Sequence, residues 1–295
     1  MGSIIDAHIY LYPPAVFNEP RTWAQKWGEP HWADCVDPKG KKSLQGWADI
    51  DQLLRDMDRA GIDKVILLGW YWQNEETCEE QNRWYREWIK KHPDRLIGFA
   101  NVHPAAGKRA LDEMRKCVDQ GLVGLGEFHP QAQGFDLRDP NWLKVVELSI
   151  ELNLPINIHV TEPVGHAYTG RVETPLVEYT WLAEKYPEAK FILAHWGGLL
   201  PFYELNPKIR EVMKNIYYDC AASPLLYDPS IYRAVVDIVG PEKVVWATDY
   251  PLLIYPNKDR QPSFQRALDE IQSSGLKEDE LDLILGGNIL KLLEK

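Results

Sequence analysis

Cysteine is scarce in this chain. Four of its 295 residues are Cys (Cys35, Cys78, Cys117 and Cys220), and no two stand at a paired spacing. That excludes a disulfide-stapled secreted scaffold and a Cys-rich zinc module. Four reduced thiols in a cytoplasmic protein are expected. Long apolar runs are missing too: the longest, Val65 to Trp72, is far short of a membrane span. The opening residues lack a basic stretch followed by a long apolar one, so no secretory leader is expected. Asp6 stands where a myristoylation signal has Ser or Thr. Positive charge is in deficit as well, with 33 Lys+Arg against 44 Asp+Glu and a formal net charge of -11. The densest basic run, Lys39, Lys41 and Lys42, reads as a solvated loop. Nucleic acid is therefore not an expected partner.

What is present is a rhythm. With 45% hydrophobic residues the chain can bury one substantial core. Short apolar runs recur at Ile4–His8, Val65–Leu68, Ile97–Asn101, Val123–Phe128, Pro155–His159, Phe191–His195, Ile216–Asp219 and Val244–Thr248. Most are apolar on both faces, as strands of a buried parallel sheet are. Amphipathic stretches alternate with them: Asp49 to Ala60, Glu75 to Lys91, Ala110 to Asp119, Trp142 to Leu152 and Val177 to Lys185. Later helices are expected at Pro207–Lys214, Pro229–Val239, Ser263–Ser274 and Glu278–Leu293. Eight βα units predict an α/β fold, a single (β/α)8 TIM barrel over residues 1–295. A doubly wound sheet would show a Gly-rich phosphate loop after the first strand, and Leu11-Tyr12-Pro13-Pro14 is no such loop. One segment breaks the rhythm. Residues 11–46 carry five prolines with Trp23, Trp27 and Trp32, and read as a long structureless insertion, either a lid or a packed extension.

Active sites of such barrels lie at the C-terminal ends of the strands. Those ends carry His8, His103, Glu127, His129, His159, His195 and Asp249, so five of the eight His fall at these few positions. Strand ends of a closed barrel converge on one mouth. Several imidazoles and two carboxylates there would form a site for a divalent ion. Without an ion, burying Glu127 beside Asp249 would be costly. Trp70, Trp72, Trp196 and Tyr250 lie near strand ends and would line an aromatic pocket or fill the core. His103 and His129 are candidates to touch substrate. Asp6 is expected to support the first strand or a ligand His, and Asp219 to be structural.

The chain resembles the amidohydrolase superfamily, in its branch related to the aminocarboxymuconate-semialdehyde decarboxylases. The matching residues are Ile5-Asp6-Ala7-His8, His159, His195-Trp196-Gly197-Gly198, Thr248-Asp249-Tyr250-Pro251 and Gly286-Gly287-Asn288-Ile289-Leu290. The resemblance implies that His8, His159 and Asp249 ligate a divalent metal, zinc first and manganese second. It implies that His195 is a further ligand or an acid/base, and that a homodimer is the assembly. Two departures stand out. The family opens with His-x-His, and here the second position is Tyr10, whose phenol is a poor ligand and would instead bond substrate or water. Glu127 on strand four is the other, similar to a ligand of the TatD-type nucleases.

The chemistry expected is hydrolysis of a small lactone, amide or ester. Metal-bound water would attack, and Asp249 would take its proton. Decarboxylation or hydration of an unsaturated carboxylic acid is the alternative. A ligand-binding barrel without turnover is the third reading, against which Asp249 argues.

Overall fold

The computed structural model describes residues 2–165, 168, 171, 175–253 and 261–294. Each apolar run becomes a parallel strand: β1 (Ile5–Ile9), β2 (Lys64–Leu67), β3 (Leu96–Gly98), β4 (Leu125–Phe128), β5 (Ile156–Ile158), β6 (Phe191–Leu193), β7 (Ile216–Asp219) and β8 (Val244–Val245). β1, β2 and β3 pair in order, and β4 to β8 do likewise. Two seams close the ring. At one, Ala7 N donates to Trp246 O at 3.1 Å, Tyr10 N to Tyr250 O at 2.8 Å and Asp249 N to His8 O at 3.0 Å. At the other, Ala100 N donates to Gly124 O and Gly126 N to Ala100 O, both at 2.8 Å. The result is a (β/α)8 barrel, as the alternation predicts.

Gly126 leaves no room for a side chain on the β5 side of β4. Its φ is +104°, and a Cβ there would lie 2.2 Å from Asn157 O. The strand therefore passes tightly against β5 immediately before it delivers Glu127.

The insertion differs from expectation. It holds three short helices, α1 (Pro14–Phe17), α2 (Pro20–Trp27) and α3 (Pro30–Val36), each opening on its proline. Proline at the first helical position loses no intrahelical bond and presets φ, so these prolines start helices instead of excluding them. The tryptophans then pack as a cluster: Trp23 and Trp32 meet at 5.3 Å, Trp32 and Trp72 at 5.6 Å. Buried Glu29 pins the insertion to the loop after β2, accepting from Gln73 N at 2.8 Å and Asn74 N at 3.1 Å. The chain then returns across the mouth. Gly46 N donates to Pro251 O at 3.0 Å and Leu253 N to Leu44 O at 2.7 Å, with Gln45 antiparallel to Leu252. Next comes α4 (Ile50–Ala60), capped by Asp49.

The Gly286-Gly287-Asn288 run serves the closed end. A Cβ on Gly286 would sit 2.0 Å from Ser3 O, and Asn288 Nδ2 bonds Pro241 O and Val244 O. The helix expected over Glu278–Leu293 is interrupted there by a wider turn at Leu283–Gly287.

Candidate metal and substrate site

β1 sends Asp6 and His8 into the barrel, with Tyr10 just beyond its end. Asp6 accepts from His8 N at 3.0 Å and from Thr248 N at 3.1 Å, fastening β1 to the loop after β8. His8 is fully buried, with Nδ1 2.9 Å from Asp219 Oδ2 and Nε2 3.2 Å from the Tyr10 hydroxyl. The Nδ1–Asp219 bond aims Nε2 at the mouth, where Asp249 Oδ1 is 4.0 Å away and Glu127 Oε1 3.9 Å. Tyr10 donates to the other Glu127 oxygen. Glu127 Oε1 meets His159 Nδ1 at 2.9 Å and lies 3.7 Å from His195 Nε2. His195 is oriented by Ala221 O, 3.0 Å from its Nδ1.

Asp219 has a larger part than the sequence suggests. One oxygen accepts from His195 N at 3.0 Å and Ala221 N at 3.1 Å; the other meets His8 Nδ1 and Asn157 Nδ2, both at 2.9 Å. A single buried carboxylate thus positions two of the clustered imidazoles.

The electrostatics show an excess of negative charge. Burial and then the charges of Glu127, Asp219 and Asp6 raise the Asp249 carboxyl to about 8. Burial alone would lower the His8 imidazole, but Asp219 and Glu127 override it and carry it to about 10. Burial alone would raise Asp219, yet His8 draws it down to about 2. His195 is lowered to about 4 by burial and by His159. Carboxylates this close and this dry call for a cation.

The donor set fits one. His8, His195 and Asp249 bring ligand atoms within 4.8 Å of one another, and Glu127, His159 and His195 do the same. Imidazole nitrogen and carboxylate oxygen together suit zinc or manganese.

A cavity of about 390 Å³ opens from this cluster. Tyr10, Glu127, His159, His195 and Asp249 form its floor. Trp70 and Tyr71, stacked with ring centroids 4.2 Å apart, form one wall, and Leu225, Leu226 and Leu252 form others. The return segment, with Lys41, Lys42 and Gln45, lies at its rim. That volume is in the range of small-ligand pockets.

Several expected contacts fall elsewhere. Trp196 is fully buried behind the site, its Nε1 donating to Ser223 Oγ at 3.0 Å. Tyr250 bonds Asp56 at 2.9 Å and stacks on Phe264. Both turn into the core because His195–Leu199 and Asp249 run through left-handed backbone that rotates the following side chain away from the mouth. Trp72 joins the insertion cluster and donates to Gln81. His103 spends both ring nitrogens locally, on Ala105 N and Gln133 O. His129 lies behind His159, its ring stacked at 4.4 Å. Tyr71, Lys41 and Lys42 were not expected to line the cavity. Their positions depend on where loops turn, for which the adjacent Trp70-Tyr71-Trp72 run is the only sequence signal.

Comparison with known proteins decides the lineage. The sequence profile of the amidohydrolase family matches residues 5–295. The chain belongs to the amidohydrolase family. This member is 23% identical over 343 residues to 2-amino-3-carboxymuconate-6-semialdehyde decarboxylase of Dictyostelium discoideum, covering 98% of this chain and 91% of that protein. It superposes on 5-carboxyvanillate decarboxylase from Sphingomonas paucimobilis with a TM-score of 0.77, 18% identity and 99% coverage of both chains. Dihydroxybenzoic acid decarboxylase from Polaromonas sp. JS666, solved with bound manganese and 2-nitroresorcinol, gives 0.70 and 19%, over 99% of this chain and 97% of that one.

These findings correct the expectation of a hydrolase. The relatives named above, each spanning most of this chain, are decarboxylases, which favours the alternative reading over hydrolysis. The expectation of zinc also lacks support, since the metal in the Polaromonas structure is manganese. No helix among the described residues is long and apolar enough to cross a membrane.

Proposed function

We propose that this amidohydrolase is a metal-dependent, non-oxidative decarboxylase of an aromatic carboxylic acid. The observation that carries the reading is that the buried donor cluster and the Trp70–Tyr71 stack face one cavity. A flat ring fits along that wall with its carboxylate toward the cluster.

His8, His159 and Asp249, with Glu127 and His195 beside them, would hold a divalent ion, manganese in the first instance. When bound, such an ion polarises substrate oxygens and fixes their orientation. The protein's own groups do the rest. Asp249 borders the cavity and is the proton carrier, because the carbon that loses carbon dioxide must gain a proton in its place. Tyr10 fills the position where the family has a second His and donates to Glu127. The pair supports a swap: Glu127 supplies the anionic donor that a protonated phenol does not, and Tyr10 holds it in place. Asp219 keeps His8 in the tautomer that turns Nε2 toward the ion. Trp70 and Tyr71 exclude water and keep the ring in one plane.

The test is direct. Protein reconstituted with manganese is incubated with 2,6-dihydroxybenzoate, 5-carboxyvanillate and related hydroxybenzoates, and carbon dioxide release is followed. Release that needs the metal and disappears in His159→Ala is the expected result. No release from any of these acids by protein carrying an equivalent of metal would overturn the proposal.

A further inference from the structure

Three tyrosines line the cavity, and two of their hydroxyls are spent on the protein itself. Tyr10 donates to Glu127, and Tyr168 to Glu162 Oε2 at 3.3 Å. Tyr71 differs. The residue is only 3% exposed, yet its hydroxyl has no hydrogen-bond partner among the described residues. Its ring is held on several sides: Trp70 stacks on it at 4.2 Å, His129 meets it edge-on at 4.8 Å, and His159 lies at 5.5 Å. The flanking backbone is held as well. Buried Gln81 Oε1 accepts from Trp70 N at 2.8 Å and from Trp72 Nε1 at 2.5 Å, and buried Gln133 Nε2 donates to Trp72 O at 3.1 Å. The phenol is therefore not free to swing toward a partner in the protein. Burial, and then Cys35, Glu127 and Asp249, push it well above its ordinary range, and those three groups all line the cavity. The hydroxyl end thus faces the cavity, and a phenol is protonated at neutral pH in any case.

We infer that the Tyr71 hydroxyl is a specificity-determining donor, which gives its proton to an acceptor atom on the ring of the bound acid. This rests on the proposed decarboxylase reading, which directs the acid's carboxylate to the floor, and it names the residue that selects among ring substituents. A dry hydroxyl without a partner is costly, and a ligand atom that accepts from it recovers that cost. An alkyl group of the same shape at the same place seals the hydroxyl off from water and leaves it unpaired. The site therefore rejects the alkyl analogue more strongly than it would if the wall were apolar throughout. Tyr71 acts here through one directed bond, because the Trp70 stack and the two glutamines fix where that bond points.

Isothermal titration of the manganese-loaded protein tests this with methoxybenzoates and ethylbenzoates, compared in pairs with the substituent ortho, meta or para. Methoxy and ethyl are close in shape, and only the methoxy oxygen accepts a hydrogen bond. At one ring position the methoxy acid is expected to bind roughly three- to tenfold more tightly than its ethyl partner, the weight of one neutral hydrogen bond. Tyr71→Phe keeps the ring and its packing, and is expected to close that gap by weakening the methoxy acid alone. Weakening of both members of the pair by the same factor would mean that the variant only loosens the wall, and would overturn the assignment. So would the absence of a gap at every position, or a gap that persists in Tyr71→Phe. Each of these results leaves the decarboxylase reading standing. Failure of every one of the acids to bind would overturn both.

Discussion

Two buried aspartates at this site do different work. Asp249 borders the cavity, whereas Asp219 touches only protein groups. Removing the first should stop proton transfer. Asp249→Asn is expected to lower kcat at least about 100-fold, the usual weight of a positioned acid/base, with the fold intact by circular dichroism. Removing the second should loosen the imidazoles. Asp219→Asn is expected to weaken manganese binding roughly 10- to 100-fold, read by titration against a chelator, while saturating metal restores most of kcat. At this scale the sequence was informative where a residue sits at a strand end, which is why His8, Glu127, His159, His195 and Asp249 could be found. It was silent where position depends on a neighbouring loop. Trp196 and Tyr250 sit beside two of those residues in sequence and turn away, while Tyr71, next to Trp70, turns in.

At the level of elements, the eight strands were legible because strands covered on both faces leave apolar runs that nothing else in the chain mimics. Helices of ten or more residues were legible from their apolar stripe. The insertion was not. Its prolines open α1, α2 and α3, and a proline that begins a helix looks the same in sequence as one that ends it. The return segment after α3 offers a sharp test. A Cβ on Gly46 would sit 2.2 Å from Pro251 O, a backbone atom that cannot swing aside. Gly46→Ala is therefore expected to push the segment off the mouth and raise KM for the aromatic acid. Overpacking of about 1–3 kcal/mol should lower the melting temperature by roughly 2–6 °C. A variant with native KM and melting temperature would show that the segment gives way freely.

For the molecule as a whole, the acidic floor is a liability that an ion relieves. Buried carboxylates repel one another in the folded chain and separate on unfolding, so a cation that binds only the folded form stabilises it. Manganese at about 100 times its dissociation constant is expected to add about 2.7 kcal/mol, seen as a higher melting temperature that a chelator reverses. His159→Ala should abolish most of that increment. The barrel's closure has a further bearing on timing. Its first seam joins Tyr10 to Tyr250 and Asp249 to His8, residues some 240 apart in the chain. His8 is therefore synthesised some 240 residues before Asp249. Until β8 is made, His8 has no Asp249 to face. The His8–His195–Asp249 grouping exists only once β8 has docked on β1, so a chain that stops before Asp249 lacks it.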